Sequence, residues 1–512
     1  MTAATSLSAD IPRTSADSSR KLLITIVLMF AIMMQSLDMT IVNMALPHMQ
    51  ASLNATPDQI SWVATSFIVA NAIAMAATGG AAVQFGRTRL FVIALAGFTI
   101  VSVLCGIAQT LPQMVLFRLA QGIFAAPLVP LAQAIILDVH EPHEVGRAMS
   151  LWSVGMIVGP ILGPTAGGYL TDEFSWRWCF YINLPIGILS VIGAIALIPS
   201  SREVARKFDW TGFAFLALAM GCLQLSLDRG QQNGWLQSTE IKIEATLAVF
   251  GLYMFVVHSA TTKTPFIDPS MFRDRNLMLS LPIHAIVGCL MMAPALFWPQ
   301  MIQNELNYPV LTAGLVMAPR ALGMIAGMAL FAAVANRVDP RPLVAIGFLA
   351  LGAALYDMSV WSQMVGAMEM MVVGVFQGVG MGLAFSPMNI LTFTTLSPQL
   401  RTEATVLTSV VRTIGGSASI SILVSQLMTL TQSNHARLGE YMNRFRHFPN
   451  IHFPADVLGR VMLNINVTHQ ASLVAYVNLF RLMAIVSFLA LPIVFTMRRG
   501  QGAAGVDIQA AH

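Results

Sequence analysis

The sequence predicts an all-α integral membrane protein with fourteen transmembrane helices, arranged as two six-helix bundles plus two inserted linker helices. Three observations carry this. Hydrophobic residues make up 56% of the 512 and charged ones 10%, with mean hydropathy +0.70, where a soluble domain carries charge on about a quarter of its residues. Apolar stretches of about 20 residues, enough to cross a bilayer as a helix, recur along the whole chain, which excludes a signal peptide or a single anchor. Two patterns of the first half also return in the second.

In chain order the spans are expected at 22–46, 59–79, 90–110, 113–136, 148–170, 179–198, 209–227, 241–260, 277–299, 311–334, 342–361, 364–386, 404–430 and 472–496. They are expected as helices because hydrocarbon offers no partner for backbone N–H and C=O groups, and none alternates as a barrel strand does. Cys105, Cys179, Cys222 and Cys289 lie in or beside these spans without paired spacing, so they read as small core residues rather than disulfide or metal ligands.

Threading begins from an N-terminal tail, 1–21. It puts Arg13, Arg20, Lys21, Arg87, Arg89, Arg147, Arg202, Arg206, Lys207, Lys263, Arg273, Arg275, Arg337, Arg341, Arg401, Arg498 and Arg499 on one side, seventeen of the 28 Lys and Arg residues. The short loops opposite hold mainly Arg177 and Arg229. The positive-inside rule then places both termini in the cytoplasm, and the excess of +4 calls for no nucleic-acid partner.

"LAQGIFAAPLVP" (119–130) is echoed by "VFQGVGMGLAFSP" (375–387), and "GGAAVQFGRTRLFVIALAG" (79–97) by "AAVANRVDPRPLVAIGFLALG" (332–352), each roughly 255 residues later. One shared offset implies two similar bundles, 22–200 and 266–496, with linker helices 7 and 8 in 201–265 and a cytoplasmic tail at 497–512. Transporters are often built this way, with the binding site between the repeats. The outer loop 431–471 is too polar to span. At that length it is expected to form a short helical projection, either solvated or docking an outer partner.

Charges inside the spans are costly, roughly 2.5–3.5 kcal/mol at the bilayer centre even on an insertion scale. Arg118, Arg320, Arg412 and Arg481 are such charges and should face protein or water, with snorkelling equally open to Arg481. Asp38 in helix 1 and Arg118 in helix 4 lie at matching depths, on the order of 10 Å from the outer ends of their spans. They can meet if both helices face one cavity. A carboxylate there prefers its proton when buried and its charge beside an arginine, so separating the pair shifts proton affinity. Proton coupling, pairing with a cationic substrate and a purely structural ion pair all remain open. Gln35 and Gln121 sit one turn from Asp38 and Arg118 on the same faces; Asn43, Arg320, Gln377, Asn389 and Arg412 are further candidates to line a cavity. Glu369, nearer the outer surface in helix 12, is a candidate second protonatable site, whereas Asp357 suits the interface.

Helix 5 carries Gly155, Gly159, Gly163 and Gly167 at every fourth residue, a bare stripe for close packing, with Pro160 and Pro164 permitting bending. Gly374, Gly378 and Gly382 read likewise in helix 12. The 33 methionines suit an adaptable apolar pocket or ordinary core filling. No Gly-x-x-x-x-Gly-Lys-Ser/Thr occurs, so the P-loop route to ATP is closed; no cofactor is expected, and energy would come from a gradient. "HEPHE" (140–144) lacks the i, i+4 histidines of a zinc protease, and His435, His447, His452 and His469 show no ligand pattern. A lipid-modifying enzyme would need a nucleophile or metal cluster that the spacing does not supply, and a mere scaffold would not need buried charges.

The segments "LDMTIVNMALPHM", "QISWVATSFIVANAI", "GRTRLF", "RLAQGIFAAP", "GRAMSLWSVGMIVGPILGPTAGGYL", "SWRWCFYINLPIGI", "FDWTG…LDRGQQNGW", "VDPRPL" and "VVRTIGGSASISI" follow one another over about residues 22 to 496. Together they resemble the fourteen-helix drug:proton antiporters of the major facilitator superfamily, the EmrB-type exporters of bacterial inner membranes among them. The resemblance implies the major facilitator fold, alternating access and proton-driven efflux of hydrophobic or amphipathic toxic compounds, with a specific exporter or facilitator for a fatty acid or other metabolite as the alternative. It maps the family's helix 1 aspartate to Asp38, its helix 4 arginine to Arg118, and its antiporter motif to Gly155, Gly159, Pro160, Gly163, Pro164 and Gly167. The cytoplasmic gating loop maps to Gly79 through Arg89 and keeps Gly86, Arg87 and Arg89, but Val83 and Gln84 replace its usual aspartate and arginine. A periplasmic adaptor and an outer-membrane channel are the implied partners.

Overall fold

A computed structural model of the chain describes residues 15–60, 62–199, 209–230, 233–262, 265–334, 338–397, 400–441 and 457–498. Arg13, Arg202, Arg206, Lys207, Lys263, Arg337, Arg499, His447 and His452 lie outside them. Helices α1 (Ser15–Ser52), α2 (Trp62–Phe85), α3 (Arg87–Ile107), α4 (Leu111–Val139), α5 (Pro142–Glu173) and α6 (Trp178–Leu197) form the first bundle. Next come α7 (Trp210–Arg229) and α8 (Thr239–Thr261). The second bundle is α9 (Arg275–Asn304), α10 (Val310–Val334), α11 (Pro340–Met358), α12 (Ala367–Phe393), α13 (Arg401–Tyr441) and α14 (Val457–Thr496). Among the described residues thirteen helices are long and apolar enough to cross a membrane, and α5, with 32 residues, is the fourteenth long helix. The chain is a multi-pass membrane protein.

Helix starts follow local chemistry. Thr110, Asp209, Asp274 and Asp339 each accept from a free N–H of the first turn, at α4, α7, α9 and α11, which satisfies a donor that the helix itself leaves open. Gly86, at φ 82°, joins α2 to α3 as a single residue, a left-handed backbone that glycine takes without strain. The expected gating loop from Gly79 to Arg89 is therefore almost wholly helix. In α4 the ladder breaks at Ala126 and Pro127, since proline cannot donate.

The repeat is visible in packing. α1 on α5, α2 on α4 and α3 on α6 recur as α9 on α13, α10 on α12 and α11 on α14. The halves meet near the face where α1 begins, here the proximal face. There Leu137 packs with Met271, Phe393, Leu396 and Ala404, and Ala76 with Met220, Phe266, Val410 and Ile414. α7 links the two halves toward the opposite face: Thr65 Oγ1 on α2 donates to Asp228 at 2.5 Å, and Gln224 donates to Ser417 on α13 at 3.1 Å.

The outer loop differs from its expected bounds. α13 runs to Tyr441 and α14 starts at Val457, so 431–471 is largely helical extension, and residues 442–456 lie outside the described ones. Polar sequence did not end these helices because they pair with each other: His435 meets Asn464 at 3.0 Å, and Asn434 donates to Ala471 O at 3.3 Å. His469 meets Glu305 at the end of α9, 3.2 Å away.

At the proximal face Lys21 Nζ donates to Glu144 at 2.7 Å, and this bond holds the Glu144 carboxyl below its ordinary 4.5. A depressed value means that the pair stabilises the fold above 4.5 and stops doing so as pH falls through the depressed value. Glu144→Gln is expected to lower the unfolding temperature slightly at pH 7, within the 0.2–1 kcal/mol or so of exposed pairs. The gap to wild type should close on acidification below 4.5.

Candidate functional site

Asp38 sits midway along α1 and is 0% exposed; Arg118 on α4 is 1% exposed. Arg118 Nη1 donates to Asp38 Oδ2 at 2.6 Å and to Gln121 Oε1 at 2.7 Å. Gln121 Nε2 returns a bond to Asp38 Oδ1 at 3.0 Å, joined there by Asn183 Nδ2 of α6 at 3.1 Å. Asn183 also donates to Ser102 Oγ of α3 at 3.0 Å. Arg118 Nε donates to Val63 O of α2 at 3.0 Å, and its guanidinium lies 4.2 Å from the Phe67 ring centroid. Asp38 thus accepts from three side chains on two helices, α4 and α6, as a buried charge requires.

The pair meets, as the matched depths allow. It is enclosed by α1, α2, α3, α4 and α6, inside the first bundle. The length of α1 differs from the sequence reading. α1 runs on through Pro47 to Ser52, so Asp38 is about 21 Å of helix from that end, against about 10 Å for Arg118 from Leu111. α1 overshoots its neighbour. Asn183 and Ser102 were not singled out in the sequence. Asn183, a lone amide in the apolar run 179–198, was the available signal, whereas Ser102 resembles any small core residue. Asn183→Leu removes one donor from Asp38 and one from Ser102 Oγ, which keeps its own bond to Phe180 O, and is expected to cost about 1–3 kcal/mol, read by thermal unfolding.

The glycine edge of α5 lies against α1 around this site. A Cβ on Gly155 would be 2.4 Å from Met29 O, on Gly159 2.6 Å from Leu37 N, on Gly163 2.0 Å from Thr40 Oγ1 and on Gly167 3.0 Å from Ile41 O. Ser36 Oγ donates to Met156 O at 2.9 Å across the same seam. Pro160 and Pro164 fall within α5, their side chains outside the described ones, as is that of Asn43 on α1. Gln35 is buried but stands apart from the Asp38 network, its Oε1 without a partner.

The remaining candidates separate. Glu369 is exposed in the first turn of α12, where a helix N-terminus favours a carboxylate; it joins no buried network. Arg481 is exposed on α14. Arg320 on α10 backs onto Gly374 and Gly378 of α12. Gln377 is buried with both Nε2 and Oε1 unpartnered. Arg412, Asn389 and a histidine not singled out in the sequence, His284 of α9, come together in the second bundle. Arg87 pairs with Asp138, tying α3 to α4, while Gly79 faces Glu403 of α13 across the halves, a Cβ there lying 3.7 Å from Glu403 Cγ. With Val83 and Gln84 beside it, this crossing carries no charge from α2.

Comparison with known proteins agrees with this architecture. The sequence profile of the Major Facilitator Superfamily matches residues 28–420. The multidrug export protein EmrB of Escherichia coli K12 is 32% identical over 443 residues, covering 84% of each chain. The fatty acid resistance protein FarB of Neisseria gonorrhoeae is 30% identical over 492 residues, 92% of this chain and 95% of its own. In fold, a double-tryptophan variant of XylE superimposes with TM-score 0.63 at 13% identity, over 94% of this chain and 98% of its own.

Proposed function

Because this chain belongs to the Major Facilitator Superfamily, we propose that it exports small hydrophobic or amphipathic toxic compounds by alternating access, driven by protons exchanged at Asp38. The names of the EmrB and FarB relatives support export; the observation that carries the coupling is the sealed Asp38 network. When Asp38 takes a proton it no longer needs Arg118, and Arg118 keeps Gln121 Oε1, Val63 O and the Phe67 ring. The protonated state leaves Arg118 hydrogen-bonded but without its counter-charge, so it is the less stable of the two and favours loosening of the bundle and return of the proton. The proton comes from water on one side when the bundle loosens and leaves to water on the other, with Arg118 restoring the ion pair as it departs.

The gradient is the only energy source in this reading, with no cofactor, and the protein is a carrier rather than an enzyme. The Lys and Arg bias supports reading the proximal face as cytoplasmic, and the likeness to EmrB supports placing the chain in a bacterial inner membrane. The paired extensions of α13 and α14 would then stand in the periplasm and suit a membrane-fusion adaptor leading to an outer-membrane channel. FarB's name favours a second reading, an exporter specific for fatty acids. In inside-out vesicles a hydrophobic dye should accumulate only while the lumen is acid and escape when a protonophore is added. Accumulation indifferent to the protonophore would argue for another driving ion.

A further inference from the structure

The second bundle holds a buried cation that no carboxylate among the described residues neutralises. Arg412 of α13 is 9% exposed and its Nη1 has no acceptor. Among the described residues no carboxylate pairs with it. The Phe385 ring centroid lies 5.6 Å from Arg412 Cζ. Such a contact supplies about 2 kcal/mol when desolvated, against a penalty of several kcal/mol for an unpaired buried ion. Arg118 in the first bundle shows what a satisfied arginine looks like in this protein.

The surroundings are also left open. Ser409, one turn before Arg412 on the same face, has a buried hydroxyl without a partner. Asn389 donates Nδ2 to Phe385 O at 2.9 Å. His284 stands beside both Asn389 and Arg412, with Nδ1 2.9 Å from Ser280 O, and offers no negative charge. A Cβ on Gly288 of α9 would lie 2.0 Å from Arg412 O, so the two backbones touch and the arginine's position along α13 is fixed. α13 is also the helix that packs on α2 and α4 of the other half.

We propose that Arg412, with Ser409 as second donor and Phe385 as apolar wall, binds the carboxylate of an amphipathic weak acid inside the second bundle, on the helix that also packs against the other half. The guanidinium fork matches a carboxylate's two oxygens, and a bound anion supplies the one thing that this pocket lacks. The inference rests on the export reading and narrows its substrate class.

The test uses the full chain in lipid nanodiscs, with dodecanoate and its neutral isostere dodecanamide competing for one site. Wild type should prefer the carboxylate by about tenfold or more, equivalent to about 1.4 kcal/mol. Arg412→Gln should bring that ratio close to one, and Arg412→Lys, which keeps the charge but loses the fork, should retain part of it. A wild-type ratio near one, or a ratio unchanged in Arg412→Gln, overturns the proposal. Failure of the export reading is separable: it appears as no flux of any compound in vesicles, whatever the headgroup preference.

Discussion

Gly163→Leu is expected to prevent α1 and α5 from docking and to leave little folded protein. A Cβ at this position already falls 2.0 Å from Thr40 Oγ1 and 2.7 Å from Thr40 Cβ, and the rest of the side chain would have to enter α1. Overpacking by even a few methylenes costs about 1–3 kcal/mol, and here the obstacle includes Ile41 N at 3.2 Å, which cannot rotate away. Gly159→Ala is the milder form, meeting Leu37 N at 2.6 Å. It should fold with a lower unfolding temperature and disturb coupling, since Leu37 precedes Asp38. Gly168, which has nothing within 4 Å of its Cβ position, is the control: Gly168→Ala should leave unfolding unchanged. A Gly163→Leu protein as stable as wild type would mean that α1 and α5 do not touch as described.

Arg118→Met and Asp38→Asn should not be additive. Removing Arg118 alone leaves Asp38 buried without its cation, which typically costs about 3–5 kcal/mol, although the carboxylate can take up a proton in response. Asp38→Asn alone leaves Arg118 with neutral partners only. The double variant carries no charge at this site, so it should recover part of the stability lost by Arg118→Met while remaining unable to couple protons. A double-mutant cycle read by thermal unfolding gives the interaction directly. Strict additivity would mean that the two side chains do not meet.

The fold was legible because membrane helices announce themselves by length and apolarity, and the repeat because two motifs recur at one offset. Helix ends were less so. Span 22–46 stopped where polar residues reappear, yet α1 continues to Ser52, with Met49 buried among Trp176, Cys179 and Phe180. The extensions of α13 and α14 were hidden for the same reason: hydropathy marks where oil stops, not where hydrogen bonding does. Asp38 and Arg118 stood out because charge is expensive in a span. Asn183, Ser102 and His284 carry no such penalty and are placed only by tertiary packing. The glycine stripe was evident at its spacing, but a stripe does not name its partner, and only the structure puts Ser36 and Thr40 of the Asp38 helix against it.

The central claim is that Asp38 carries the coupled proton. It is tested most directly by proton release from inside-out vesicles under an imposed pH gradient, on adding a panel of hydrophobic compounds, comparing wild type with an Asp38→Asn protein shown to be folded and present in equal amount. Substrate-triggered proton flux in wild type and none in the variant is the predicted result. Equal flux in the two would remove Asp38 from the coupling path and leave its network a structural one.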